Sequence, residues 1–372
     1  MSEWKTVRLG DVCILEKGQQ IDTSLLDDSK PYRYINGGIK ESGYFDNFNT
    51  SGESVLISEG GASCGYINYV NENFWCGCHC YRLHDIKVFP KYLFHALKAN
   101  QQRIMALRTG SAMPNIQKST IQKFELKIHD DSTSQKKVAI MLDKCNELIE
   151  KHKQTLEKYD LLIKSRFIEM FGDILAGKYK FETRKLGEIS EVGSSHRVFT
   201  TEFVEHGIPF YRGTEIGELA NGKIPQKPYY ISEEHYQRLI AQDSKPQIGD
   251  LLMPSICNKG QVWMVDTEEP FYYKDGRVLS ISPNREIYNS KYLQYFMREK
   301  TLVEYPKLGS GSTFAEFKIF LLKDIDILTP PLSLQNDFAS FVQQIDKSKF
   351  TVQKSLEKAE TLYKSLMQQY FA

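Results

Sequence analysis

The feature that most restricts the fold is an internal repeat, because a chain that carries one pattern twice folds as two related units rather than one large core. Trp4-Lys5-Thr6-Val7-Arg8-Leu9-Gly10-Asp11-Val12 is answered by Phe181-Glu182-Thr183-Arg184-Lys185-Leu186-Gly187-Glu188-Ile189. An aromatic, a Leu-Gly pair, an acid and a β-branched residue recur at one spacing. Further matches follow in order: Tyr34-Ile35-Asn36-Gly37 with Phe210-Tyr211-Arg212-Gly213, Gly52-Glu53-Ser54-Val55-Leu56 with Gly249-Asp250-Leu251-Leu252, and Lys91-Tyr92-Leu93 with Lys291-Tyr292-Leu293. The offset is 177 residues at the opening and 200 at the last of these matches. The second copy therefore carries the longer loops, and loops accept insertions more readily than frameworks.

Each copy ends in a long amphipathic stretch, and the two stretches align without gaps at a constant offset of 200. Gln135, Ala139, Leu156, Glu157, Lys158, Leu162, Lys164, Ser165 and Phe171 recur as Gln335, Ala339, Leu356, Glu357, Lys358, Leu362, Lys364, Ser365 and Phe371. Alternating steps of three and four residues pick out Leu142, Cys145, Ile149, His152, Leu156, Tyr159, Ile163, Arg166 and Met170 in the first. In the second they pick out Val342, Ile345, Lys349, Val352, Leu356, Ala359, Tyr363, Leu366 and Tyr370. Neither run contains Pro or Gly, which is the pattern of a coiled coil. We take Leu142, Ile149, Leu156, Tyr159, Ile163, Val342, Ile345, Val352, Leu356 and Leu366 as the seam. Only Gly172 to Lys180 separate the first stretch from the second copy's opening strand, so the second unit begins beside the first helix's C-terminus and the helices are expected to be antiparallel.

The fold class expected is α+β: two similar domains joined by two long antiparallel coiled-coil helices about a pseudo-two-fold axis. The divisions are residues 1–133 and 173–333 for the domains and 134–172 and 334–372 for the spacer helices. β-rich runs such as Tyr66-Ile67-Asn68-Tyr69-Val70 and Gln261-Val262-Trp263-Met264-Val265 alternate with Gly, Asn and Ser clusters, and helices follow Pro90 and Asn289.

Composition excludes some classes. No apolar run approaches the roughly 20 residues of a membrane helix. The opening Met1-Ser2-Glu3-Trp4-Lys5 lacks a basic and apolar leader, so a cytoplasmic protein with reduced thiols is expected. Seven cysteines, an odd number, argue against a disulfide framework. The net charge of +1 speaks against a nucleic-acid ligand, since phosphate binding usually leaves a basic footprint. A local basic patch could still serve if the acids face elsewhere.

Three loops recur at matching places. They are Ser58-Glu59-Gly60-Gly61-Ala62-Ser63-Cys64-Gly65 with Pro254-Ser255-Ile256-Cys257-Asn258-Lys259-Gly260, Arg108-Thr109-Gly110-Ser111 with Leu308-Gly309-Ser310-Gly311-Ser312-Thr313, and Asn36-Gly37-Gly38 with Arg212-Gly213-Thr214. Small residues let a backbone approach a ligand closely, and Ser, Asn, Arg and Lys suit phosphates and base edges. Candidate contacts to DNA are Arg33, Asn36, Ser63, Arg108, Ser111, Asn115, Lys118, Arg212, Thr214, Asn258, Lys259, Ser310 and Ser312. Cys76-Gly77-Cys78-His79-Cys80 has zinc-like ligands but no second Cys pair follows. We read it as an extended strand with its three thiols on one buried face.

With these loops, the Gly110-Ser111-Ala112-Met113-Pro114-Asn115-Ile116 segment, the helix ending Phe167-Ile168-Glu169-Met170-Phe171-Gly172 and the two-copy layout, the chain resembles the specificity subunit of a type I restriction–modification system over essentially its whole length. The second half departs from the pattern, with Gly311-Ser312-Thr313-Phe314-Ala315-Glu316-Phe317 where the first has Met113-Pro114-Asn115-Ile116, so Glu316 need not share the role of Asn115. The resemblance implies a non-catalytic subunit without cofactors, whose two target-recognition domains each read half of an interrupted double-stranded DNA sequence. It also implies partners: two modification (methyltransferase) subunits and restriction (translocase/nuclease) subunits. In accord with this, Gly60 to Tyr66 has phosphate-loop spacing but Tyr in place of Lys, and Pro330-Pro331 lacks the Asn and aromatic of an amino-methyltransferase motif. A two-domain structural adaptor that binds two copies of a protein partner without touching DNA is the alternative, and the near-neutral charge favours it.

Overall fold

A computed structural model describes residues 4–110, 113–242, 245–308 and 315–371. Ser111, Ser310 and Ser312 lie outside them. The chain forms two compact units, Met1–Leu156 with Thr351–Ala372, and Glu157–Phe350.

In the first unit, strand Trp4–Arg8 pairs antiparallel with Glu125–His129, closing the start of the domain against its end. Leu9, fully buried, begins a helical turn, Leu9–Val12, that leads into a four-stranded antiparallel sheet. Its order is Ile14–Lys17, Cys80–His84, Ser54–Ser58, Ile67–Val70. A smaller sheet sets Tyr32–Ile35 between Tyr44–Phe45 and Trp75–Cys76. Helix Pro90–Ala99 starts at a proline, which suits a position with no backbone N–H to satisfy. Tyr92, Leu93, Ala96 and Leu97 lie on one face of it and are fully buried in the core.

The second unit repeats this plan. Thr183–Lys185 pairs with Asp326–Leu328, and the four-stranded sheet runs Ser190–Gly193, Val278–Pro283, Leu251–Pro254, Trp263–Met264, the same spatial order. Helix Ser290–Glu304 is capped by Asn289, whose side chain accepts from the amides of Lys291 and Tyr292. The extra length of this copy holds the helices Gly213–Ala220 and Glu233–Gln242, and its smaller sheet, in which Ile208–Tyr211 lies between Tyr229–Ile231 and Tyr272–Tyr273, gains one edge strand, Phe203–Val204. The recurring Leu-Gly pair also has a physical reason. A Cβ on Gly10 would stand 3.2 Å from Gln122, a tight contact, and one on Gly187 would stand 2.9 Å from the Cβ of Lys323, where the neighbour would have to shift, so glycine lets the short helix there pack closely in both copies.

The long helices span Ser132–Phe171 and Leu332–Phe371, 40 residues each, about 60 Å at 1.5 Å per residue. Within the first unit, Val138, Ala139 and Leu142 share a core with Met367 and Phe371, and Ile149 packs with Leu356 and Ala359. Within the second, Ile163, Phe167 and Phe171 share a core with Phe338 and Val342. The N-terminal part of one helix thus meets the C-terminal part of the other in each unit. Of the expected seam, Leu142, Ile149, Ile163, Val342 and Leu356 are buried, while Leu156, Tyr159, Ile345, Val352 and Leu366 are half-buried. Toward the C-termini the deepest positions become Phe167, Phe171, Met367 and Phe371 rather than Arg166, Met170, Leu366 and Tyr370. An α-helix advances 3.6 residues per turn, so a 3.5-residue stripe drifts by one position over several heptads.

The cysteine-rich run is not one extended strand. Strand Trp75–Cys76 ends, Gly77 to His79 turn, and a new strand starts at Cys80, whose amide donates to the Gly77 carbonyl. Cys76 and Cys80 are buried but Cys78 is half-exposed, since a turn breaks the alternation of sides. Among the described residues no His, Cys, Asp and Glu group could hold a metal ion, and no helix is long and apolar enough to cross a membrane.

Candidate nucleic-acid interface

In the first unit the recurring loops are tied to one another by direct bonds. The Glu59 amide donates to the His79 carbonyl at 2.8 Å, and the Ile116 amide donates to the Glu59 carbonyl at 2.9 Å. Thr109 and Asn115 exchange two backbone bonds of 2.9 Å, and the Gly61 amide donates to Pro114 at 2.9 Å. The Ser63 hydroxyl donates to the Gly37 carbonyl, and the Asn36 side chain accepts from the His79 amide at 3.2 Å. Glu59 anchors the assembly from below: its nearly buried carboxylate pairs with Lys17 and accepts from the Tyr81 hydroxyl at 3.1 Å. Burial of the Tyr81 ring, with Glu59 beside it, holds that phenol well above its ordinary range, so it stays a donor. Gly61 adopts φ +75° with open space where a Cβ would be, which leaves its backbone accessible to a ligand.

The second unit repeats the ladder with other side chains. The Ser255 amide donates to the Arg277 carbonyl and the Phe317 amide to the Ser255 carbonyl, at 2.9 and 2.8 Å. Arg277 therefore stands where His79 does, and Glu316 where Asn115 does. The Glu316 carboxylate is held by Arg277 at 2.6 Å and by Lys318, whose hydrogen bond is the main cause that lowers its pKa. Asn115 is exposed and offers a neutral amide, whereas Glu316 is consumed by internal cations.

The expected contact residues divide by what their side chains do. Arg108, Asn115 and Lys118 in the first unit, and Thr214, Asn258 and Lys259 in the second, are exposed. Asn36 and Ser63 hold loops together. Arg33 is paired with Glu72 and Glu41. Arg212 forms a two-point pair with Glu215, at 3.2 and 2.7 Å, and its guanidinium lies 4.5 Å from the Tyr229 ring centre. Both arginines are thereby committed within their own unit. Sequence reasoning missed the fourth loop, which carries His79 and Arg277, although the offset relating Cys80-Tyr81 to Val278-Leu279 would have located it. It also missed the segment after the first sheet strand, where Gly18 and Gln19 donate to the Cys80 and Cys76 carbonyls. In the second unit the Ser194 and Ser195 hydroxyls bond the Val278 and Tyr273 carbonyls at 2.7 and 2.5 Å.

In each unit the arrangement is a set of glycine-rich loops tied to the sheet, carrying exposed Arg, Lys and Asn in the first unit and exposed Thr, Asn and Lys in the second. Accessible backbone amides beside cationic and amide side chains suit the binding of a polar or anionic ligand.

Residues 1–158 and 178–360 match the family described as type I restriction modification DNA specificity domain. A type I specificity subunit of Mycoplasma genitalium is 28% identical over 221 residues, 56% of this chain and 57% of that protein. Another from Mycoplasma pneumoniae is 30% identical over 168 residues, 42% of this chain and 44% of that one. The chain thus spans about half the length of these relatives. The crystal structure of the S subunit of a type I restriction–modification system from M. genitalium superposes with a TM-score of 0.68 at 21% identity, covering 100% of this chain and 96% of that one. A structure concerned with complex assembly and conformational transition of the type I R-M system gives 0.52 at 16% identity, covering 99% and 97%. The last two likenesses speak for the fold, the family match covers both copies of the repeat, and the chain belongs to the type I restriction–modification DNA specificity family.

Proposed function

We propose that this chain is the DNA sequence-specificity subunit of a type I restriction–modification complex, reading a bipartite double-stranded target with residues 1–133 and 173–333 as its two readers. Residues 134–172 and 334–372 form an antiparallel coiled-coil spacer, related by a pseudo-two-fold axis, that sets the distance between half-sites. The observation that carries this reading is one backbone ladder, shared by both copies, that carries different side chains: exposed Asn115 and His79 in one copy, and in the other an exposed Arg277 paired with a half-buried Glu316. Two identical protein partners would call for matching surfaces, whereas two different half-sites call for different ones. Arg108, Asn115, Lys118, Thr214, Asn258 and Lys259 are the expected first contacts. The subunit itself is non-catalytic and works in the cytoplasm. It scaffolds two modification subunits and, in the larger assembly, the restriction subunits, to which methyl transfer, translocation and cleavage belong.

Footprinting of the complex with its modification subunits tests this. Two protected blocks separated by an unspecified gap are expected. Deleting one heptad from each long helix shortens each by about 10 Å and changes the gap tolerated. One continuous site, or no site, refutes the reading and returns the adaptor to favour.

A further inference from the structure

The segment after the first sheet strand of the second unit holds an arginine in a geometry suited to reading a base. Ser194 and Ser195 pin its backbone to the Val278 and Tyr273 carbonyls, the Gly276 amide donates to the Ser194 hydroxyl at 2.8 Å, and the His196 amide donates to the Tyr272 hydroxyl at 3.0 Å. These bonds place it beside Arg277, whose carbonyl belongs to the loop ladder. Arg197 projects from this fixed backbone with 70% of its side chain exposed. Its Nε lies 3.5 Å from the Asp275 carboxylate, and its guanidinium sits 5.7 Å from the ring centre of Phe199, itself 58% exposed.

We infer that Arg197 is a specificity-determining residue that reads guanine in the half-site bound by the second unit, a proposal that rests on the DNA-binding function above. The reason is donor geometry. A guanidinium reads guanine by presenting two parallel N–H donors to O6 and N7. A carboxylate 3.5 Å from Nε favours turning that edge of the guanidinium inward, which leaves the two terminal nitrogens for a ligand, and the nearby Phe199 ring limits the side chain's rotation. Asp275 and Phe199 are positioning residues for this orientation. A phosphate can accept the same two-point fork, so what separates the two ligands is sequence discrimination, which only a base contact supplies. The corresponding segment of the first unit carries Gln19 and Gln20 with no cation between Gly18 and Ile21. Gln20 is occupied by the Tyr34 hydroxyl, the Asn36 amide and the Cys78 thiol, at 3.3, 3.4 and 3.0 Å. The two readers therefore differ in chemistry at this place as well.

The test is selection from a randomised duplex library by the full chain complexed with its modification subunits, for wild type, Arg197→Lys, Arg197→Gln and Asp275→Asn. Wild type should select a motif with guanine at one position of the second half-site. Arg197→Lys keeps the charge but not the fork, so it should lose roughly 10- to 100-fold of the discrimination at that position alone. Asp275→Asn should lose part of the same discrimination, and the other half-site should be unchanged in every variant. If Arg197→Lys selects the wild-type motif, or Arg197→Gln weakens binding equally for all sequences and lowers the salt slope by about one, Arg197 touches phosphate and the inference is overturned. If wild type itself selects no bipartite motif, the functional reading fails instead, a distinguishable outcome.

Discussion

Replacing Gln335 with Met would remove a side chain that pins the start of the second long helix to the globular core. Gln335 is fully buried. Its amide nitrogen donates to the carbonyls of Ile287 and Pro330, and its oxygen accepts from the Asn289 amide, each at 2.9 Å. Met has nearly the same length and volume, so the packing cost is small and the polar cost dominates. The substitution orphans one buried N–H and two carbonyls, at about 1–3 kcal/mol for a fully unsatisfied group and less for a carbonyl with a second lone pair in use. Against this, burying the Met chain recovers about 1 kcal/mol. The net is a loss of about 2–4 kcal/mol, which by the tenfold-per-1.4 kcal/mol relation is roughly 30- to 1000-fold in the equilibrium for opening this contact. Hydrogen exchange reads it at the Asn289 amide, which should lose protection by that factor, and urea unfolding should show the same loss in the transition of the second unit. Gln135→Met makes the internal comparison, because Gln135 bonds only the Phe89 amide and the His129 carbonyl, at 2.9 and 2.8 Å, and should cost less. A loss under about 1 kcal/mol for Gln335→Met, or unchanged protection at Asn289, would refute the claim that this recurring glutamine joins helix to domain.

Phe167→Ala should destabilise the second unit by about 3–5 kcal/mol, since the ring is buried against Phe171, Tyr295 and Phe338 at centroid distances of 5.0, 5.0 and 5.4 Å; a calorimetric scan with an unmoved second-unit transition would count against it. His95 is fully buried, 2.8 Å from Asp143, with Lys91 on that same carboxylate and the Tyr363 ring behind it, and burial lowers its pKa from 6.5. A depressed histidine pKa means the unfolded chain binds the proton more readily, so stability is fully present above about pH 6.5 and is lost as pH falls through the folded pKa. His95→Gln should flatten the fall in melting temperature between pH 7 and 5, and an unchanged slope would exclude His95 as its source. Gly187→Ala should cost about 1–3 kcal/mol through overpacking on Lys323, more than Gly10→Ala does at its looser site, as urea midpoints would show.

The glutamine pair also shows where sequence reading succeeds. Gln135 and Gln335 stood out because they recur at one offset, yet recurrence says nothing of partners; those come from Phe89 and Asn289, 46 residues earlier in each case. The repeat, the two helices, the recurring Leu-Gly pair and the glycine-rich loops were legible because they rest on spacing, and spacing is a local property of helices, strands and turns. The same limit explains the Cys76–Cys80 run, where alternation suggested a strand and the Gly77 turn broke it. Arg33 and Arg212 read as ligand contacts, but Glu72 and Glu215 claim them. Asn115 and Glu316 aligned in sequence, but only the fold shows one exposed and the other held by Arg277 and Lys318. By itself the sequence determined that two copies of one domain alternate with two matched helices, since periodicity survives in one dimension. Tertiary structure alone decided which cations remain available on the loops, because a charge is spent or exposed according to neighbours that distant parts of the chain bring to it.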